Sequence, residues 1–224
     1  MLSLETIFLQ LNDIKVIDTS IPNSKYIPID FSKSNIELSN IEINNPIILE
    51  NFIVNFVKKR KGKLAYGGYN EIRNIYQSSI LFNDCKDEER NIHLGIDFWI
   101  EAGTNVIAAL DGKIHSFNHN NKPGDYGPTI VLEHTLKNIT FYTLYGHLSL
   151  ESIANIKVGC IITKGQNLGK LGDYSINGGY APHLHFQIIK EIGTNFGDYP
   201  GVCNYKDLNF YLSNCPNPNL LLKI

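Results

Sequence analysis

The chain has 224 residues, with 20 Lys+Arg against 22 Asp+Glu and a formal charge of −2. That balance argues against a nucleic-acid binder led by electrostatics, and a composition 43% hydrophobic and 19% charged is that of a globular chain, not a disordered one. No uninterrupted apolar run approaches the ~18 residues of a spanning helix, so no membrane span is expected.

The opening, MLSLETIFLQLNDIKVID, has neither a basic start nor a clean apolar run. No secretory signal peptide is expected, and the sequence reads as cytoplasmic unless a leader was trimmed or another route exports it to the periplasm or beyond. Up to about Lys63 the chain is rich in Asn, Ile and Ser. It predicts a small, partly helical N-terminal extension over 1–64, ahead of a β domain with its C-terminal tail over 65–224. A first helix is carried by Leu4, Ile7, Phe8 and Leu11. A second starts at Asn45 as cap and Pro46 as first residue, with an apolar stripe of Leu49, Phe52, Ile53, Phe56 and Val57. It ends in KKRKGK, read as a solvated helix end whose cations suit the dipole.

From Tyr66 onward the texture becomes short β-rich runs broken by turn residues: NVIAAL, GKIHSF, TIVLEH, ITFYTLYGH, IKVGCIIT and HLHFQII. A mainly β, largely antiparallel sheet or sandwich is predicted. Cys85, Cys160, Cys203 and Cys215 form no CxxC motif and read as free thiols.

The chemistry lies in four of the seven histidines, gathered in HLGID (His93 to Asp97), YGH (Tyr145 to His147) and PHLHF (Pro182 to Phe186). On a strand His183 and His185 share one face, about 6–7 Å apart, close enough for one to hold a metal while the other reaches the reacting group. A regular strand would hold His93 and Asp97 about 13 Å apart, so joint chelation requires a bend, which Gly95 can supply. His93, Asp97 and one of the PHLHF histidines offer three protein ligands and leave a fourth position for water, the composition of a catalytic zinc site.

Together HLGIDF, YTLYGHLS and APHLHFQ, in this order and spacing, resemble the lysostaphin/LytM-type zinc metallopeptidases with the duplicated-hybrid-motif β fold and an open groove. The resemblance spans roughly residues 65–190 and includes AGTNVIAALDGKI and VGCIITKGQNLGKLGD. It implies His93, Asp97 and His185 as ligands of one Zn²⁺ per chain, with His147 and His183 catalytic. It also implies an endopeptidase acting on peptidoglycan cross-links or stem peptides.

The chain departs from the pattern at Gln187, where the family commonly has an acid. The runs GYNEIRNIYQSSILF, NKPGDYGPTIVLEH, GDYPGVC and NPNLLL are similar to the branch fused to a phosphotransferase and a class III, pyridoxal-phosphate aminotransferase. That likeness opens the alternative of a small cytosolic peptide or amide as substrate. A LytM-like regulatory or binding module without activity is a further alternative.

Other residues carry weaker expectations. Tyr145, two before His147, would share its face in a strand, which allows it either to line the cleft or simply to pack, with neither favoured. Tyr180, in INGGYAP, would sit on the groove rim, and Arg73 could fork onto a substrate carboxylate, although a surface arginine is the plainer expectation. Cys203 is a cleft candidate with nothing to support it as a nucleophile. His115 and His134 read as core-edge or surface residues, and His119 as part of a solvated loop.

Overall fold

The computed structural model describes residues 2–75 and 89–224. Cys85 and the stretch YQSSILF before the first motif lie outside the described residues.

Local signals build the first elements. Ser3 accepts a hydrogen bond from Thr6 N at 3.2 Å and caps α1 (Leu4–Phe8). Asn45 accepts from the amides of Ile47 and Ile48 at 3.1 and 3.3 Å, Pro46 opens α2 (Pro46–Lys59), and Lys58 and Lys59 fill its last turn. Leu49, Ile53 and Val57 form its buried face.

Strands β1 (Tyr26–Pro28), β2 (Leu64–Gly67), β3 (Ile92–His93), β4 (Ile96–Trp99), β5 (Asn105–Ile107) and β6 (Gly112–Asn120) follow. Then come β7 (Gly127–Leu136), β8 (Ile139–Gly146), α3 (Leu150–Ala154), β9 (Ile161–Ile162), β10 (Asn167–Lys170), β11 (His183–Ile189) and β12 (Val202–Cys203). Two short helices, α4 (Leu208–Asn214) and α5 (Asn219–Leu222), complete the described residues. The fold is mainly β, as expected.

The large sheet runs β1-β2-β4-β11-β8-β7-β6-β9. Its pairs are antiparallel except β1 with β2, which is parallel and makes the sheet mixed. Two small antiparallel pairs, β5 with β10 and β3 with β12, lie beside it. Strand β6 continues through His119, opposite Pro128, to Asn120, so His119 is a half-buried strand residue and not part of a solvated loop. The run IKVGCIIT yields only the two residues of β9.

Strand β11 is buried along its whole length because it lies between β4 and β8 and is covered on both faces. Leu184, Phe186 and Ile188 enter the main core with Phe98, Phe141 and Tyr145, while His183, His185 and Gln187 occupy the opposite face. Leu4, Phe8, Ile14, Val16 and Ile17 belong to that same core, and Phe8 meets the Phe141 ring edge-on at 5.2 Å. Ile29, Phe31, Leu49, Ile53 and Val57 pack with Ala65, Trp99 and Ala181 in a second cluster. The segment before residue 65 thus buries its apolar side chains against the β domain in both.

Candidate metal centre and cleft

Register places the site. His185 stands directly across from Asp97, and His183 across from Trp99, in the β11·β4 pair. His93 arrives from β3, separated from β4 by Leu94 and Gly95. At Gly95 a methyl group would fall 2.7 Å from both His185 Cε1 and Phe186 O, so glycine breaks the strand and leaves room for the His185 ring.

His93 Nε2, His185 Nδ1 and Asp97 Oδ1 converge. The separations are 2.9 Å between the imidazole nitrogens, 3.1 Å from His185 Nδ1 to Asp97 Oδ1 and 3.2 Å from His93 Nε2 to Asp97 Oδ1. Zinc-ligand bonds of about 2.0–2.2 Å at tetrahedral angles put neighbouring ligand atoms roughly 3.3 Å apart. The three atoms match that edge length closely.

Their outer contacts fix where the lone pairs point. His93 Nδ1 donates to Gly68 O at 2.9 Å, which leaves Nε2 as the acceptor of the neutral ring. Gln187 donates through Nε2 to Pro200 O at 3.1 Å, and its Oε1 therefore accepts from His185 Nε2 at 2.9 Å, leaving Nδ1 as that ring's acceptor. Three lone pairs aimed at one buried point repel each other unless a cation lies between them. The donor set fits a metal ion, and both imidazoles carry the outer hydrogen bond that metal-binding rings generally make. The amide at Gln187 serves as well as an acid for orientation.

Charge follows burial. Burial, reinforced by the Arg73 charge, depresses the His93 imidazole to about 3 and keeps it neutral. Burial alone would raise the Asp97 carboxyl, but its electrostatic neighbours, the His93 imidazole and the Arg73 guanidinium first among them, outweigh it and hold the group well below the ordinary range.

His147 and His183 lie beside this cluster with ring centroids 4.1 Å apart. His147 has left β8 with φ +64° and donates from Nδ1 to Asn177 O at 2.7 Å. His183 donates from Nδ1 to Ala181 O at 2.8 Å and stacks on Trp99 at 5.8 Å. Burial lowers both imidazoles, that of His147 with help from His183 and His185. All five residues line one cavity of about 320 Å³, together with Leu49 from α2, Ile75, Trp99 and Tyr126.

Tyr180 also lines this cavity, its hydroxyl donating to Gly124 O at 2.9 Å and its ring 5.4 Å from that of His147. Tyr145 does not. It is fully buried in the main core, where its hydroxyl accepts from Ala109 N at 2.9 Å. Alternation fails as a guide because the chain turns out of the strand between Tyr145 and His147.

Arg73 lines the cavity but is not a surface residue, being 3% exposed and salt-bridged to Glu71 and Asp97. Cys203 is buried in β12 with its thiol pushed up to about 11 by burial, which suits packing and not nucleophilic attack. Cys160, Cys203 and Cys215 are free thiols. His134 is buried between Asp111 O and Thr143 Oγ1, and His115 is half-buried against Tyr142.

Sequence reasoning missed Tyr126, whose hydroxyl lies 3.4 Å from His185 Nε2, and Asn177, which holds His147. Tyr126 belongs to KPGDYGP, where a lone aromatic carries no local signal.

Three ligand-type side chains with two further imidazoles on one cleft wall define a candidate mononuclear metallohydrolase site. Residues 91–196 match the model of peptidase family M23, which supports reading that stretch as a metallopeptidase domain. Over 95 residues it is 33% identical to a Haemophilus influenzae protein described as an uncharacterized metalloprotease, a stretch covering 42% of this chain and 18% of that protein. Among solved structures, it is similar to the catalytic domain of the antimicrobial peptidase lysostaphin from Staphylococcus simulans. That likeness has 28% identity and a TM-score of 0.39 over 65% of this chain and 87% of that one. It is also similar to a zinc-containing peptidase from Vibrio cholerae, at 29% identity and a TM-score of 0.36 over 45% of this chain and 28% of that one. Among the described residues no helix is long and apolar enough to cross a membrane.

Proposed function

We propose that the protein is a zinc-dependent metallopeptidase, with His93, Asp97 and His185 holding one zinc and His147 and His183 performing proton transfer. The convergence of His93 Nε2, His185 Nδ1 and Asp97 Oδ1 within 4.8 Å of one another carries the proposal. A metal bound by these atoms polarises the scissile carbonyl and lowers the pKa of a bound water.

The chain's own groups do the rest. His147 and His183 are each tied at Nδ1 to a backbone carbonyl, so each offers Nε2 as an acceptor. Their depressed basicity keeps both neutral near pH 7, ready to take the proton from the attacking water. The ring that has taken the proton carries it at Nε2, where it can donate to the developing oxyanion before it passes the proton to the leaving amine.

The substrate proposed from the family likeness is a peptide bond in peptidoglycan cross-links or stem peptides. A short peptide or amide is a second reading, favoured by the size of the cavity, about 320 Å³, and by the Leu49 and Ile75 side chains on its wall. Elemental analysis paired with hydrolysis of purified peptidoglycan and of short Gly- and D-Ala-containing peptides tests both. The expected result is about one zinc per chain and cleavage abolished by chelators. His93→Ala and Asp97→Ala should lose the metal, whereas His147→Ala should keep it and lose hydrolysis; a metal-free His147→Ala protein refutes this division of roles.

A further inference from the structure

Asp97 turns one oxygen to each of two neighbourhoods. Oδ1 faces the imidazoles of His93 and His185, whereas Oδ2 accepts from Arg73 Nη1 at 2.5 Å. The guanidinium is itself clamped, its Nε donating to Glu71 Oε2 at 2.6 Å. Glu71 in turn accepts through Oε1 from Phe31 N at 2.9 Å.

The backbone around these residues is equally fixed. Arg73 N donates to Asn91 O at 2.9 Å, His93 N donates to Glu71 O at 3.0 Å, and Ile72 bridges to Ile92. The segment carrying Glu71 and Arg73 is therefore laced to the strand that delivers His93. The guanidinium carbon lies 5.4 Å from the Trp99 ring and 5.8 Å from the Phe31 ring.

A buried guanidinium beside a site for a dication is electrostatically costly unless it is neutralised. Glu71 supplies that neutralisation, and the pair leaves the Asp97 charge available to the ion. A carboxylate with both oxygens free can bind a metal through one or both, and an outer hydrogen bond to the second oxygen decides between them.

Resting on the metal-site reading above, we propose that Arg73 is a positioning residue of the metal centre. It holds Oδ2 and so keeps Asp97 a one-oxygen ligand, with Glu71 holding Arg73 in turn. The device links the segment before residue 65 to the metal through Phe31, Glu71, Arg73 and Asp97.

The test uses the full chain and two readouts other than hydrolysis: Zn²⁺ affinity by competition with a chelator of known strength, and the visible absorption of the Co²⁺-loaded protein. Arg73→Gln should weaken Zn²⁺ binding by about 10–100-fold. It should also lower the intensity of the Co²⁺ d–d bands, as Asp97 swings to bind through both oxygens and the coordination number rises. Arg73→Lys should recover part of the affinity by restoring the charge without the fork. Glu71→Gln should shift both readouts in the same direction by a smaller amount, and it decides the matter if Arg73→Gln does not fold.

Wild-type affinity and an unchanged Co²⁺ spectrum in these variants overturn the proposal. If KM for a peptide rises while both metal readouts stay fixed, Arg73 instead contacts the substrate. A wild-type chain that takes up no Zn²⁺ overturns the underlying metal-site reading, an outcome separate from either.

Discussion

Gly178 and Gly179 offer a controlled pair of perturbations beside the cleft. Their φ angles are nearly equal, +89° and +92°, yet a Cβ on Gly178 would lie 1.8 Å from the backbone oxygen of Asp125, whereas one on Gly179 meets nothing within 4 Å. Gly179→Ala therefore incurs only the left-handed backbone strain of an L-residue, about 1–2 kcal/mol. Gly178→Ala adds a clash that no rotamer can relieve, because the obstructing atom is main chain. Overpacking of this kind costs about 1–3 kcal/mol, for a total near 2–5 kcal/mol.

The loop must also separate from the Gly124–Asp125 turn, whose Gly124 N donates to Gly178 O at 2.8 Å. That moves Asn177 O away from His147 Nδ1. Denaturant unfolding with m-values compared across the three proteins gives the stability difference, and zinc content with peptide hydrolysis gives the site consequence. Gly178→Ala should keep its zinc and lose cleavage. If the two variants are equally stable, within about 0.5 kcal/mol, the close approach is not what requires glycine there.

Tyr145→Phe should cost about 1–3 kcal/mol, because the buried Ala109 N–H loses its acceptor; kcat should be unchanged, and a large kcat loss would put Tyr145 back in the cleft. Phe8→Ala should cost about 3–5 kcal/mol by emptying a fully buried site against Phe141. In thermal unfolding that is a fall of roughly 6–20 °C in Tm for a chain of this size, and a change below about 2 °C would mean that α1 is not docked. In the metal-stripped protein, the His93 imidazole, depressed to about 3 from 6.5, gives stability a pH dependence. Below the unfolded value the unfolded chain binds a proton that the folded chain refuses, so stability falls as pH drops from 6.5 toward 3. At about pH 5.5 His93 alone accounts for about 1.4 kcal/mol, and His147 and His183, also lowered, add in the same sense. Unfolding titrations that stay flat from about pH 7 to 5.5 would contradict the buried, neutral imidazole.

Much of the site could be read from local spacing. HLHFQII corresponds residue for residue to β11, and alternation correctly puts His183 and His185 on one face. The Asn45-Pro46 start fixes the N-terminus of α2 because capping is a property of a few adjacent residues. What eluded the sequence depends on register between distant segments. Arg73 meets Asp97 only because residues 71–73 lie against 91–93, and Glu71 finds Phe31 across 40 positions. The parallel β1·β2 pair has no period-two signature that distinguishes it from an antiparallel one. Tyr145 was misplaced by the same alternation that serves β11, because the strand ends one residue before His147.

Trp99 is the chain's single tryptophan, and it stands in the wall between the candidate metal cleft and a second cavity of about 1010 Å³ beneath α2, lining both. One of its ring contacts is Phe31, at 4.6 Å, and another is His183. Light absorbed at the red edge, where tyrosine is transparent, is therefore emitted from a single indole resting on one of the proposed proton-transfer groups. Protonation of His183 would quench that emission, and displacement of α2 would expose it to water and shift its colour. The fluorescence of this protein is thus a report from the cleft wall, recorded without a label.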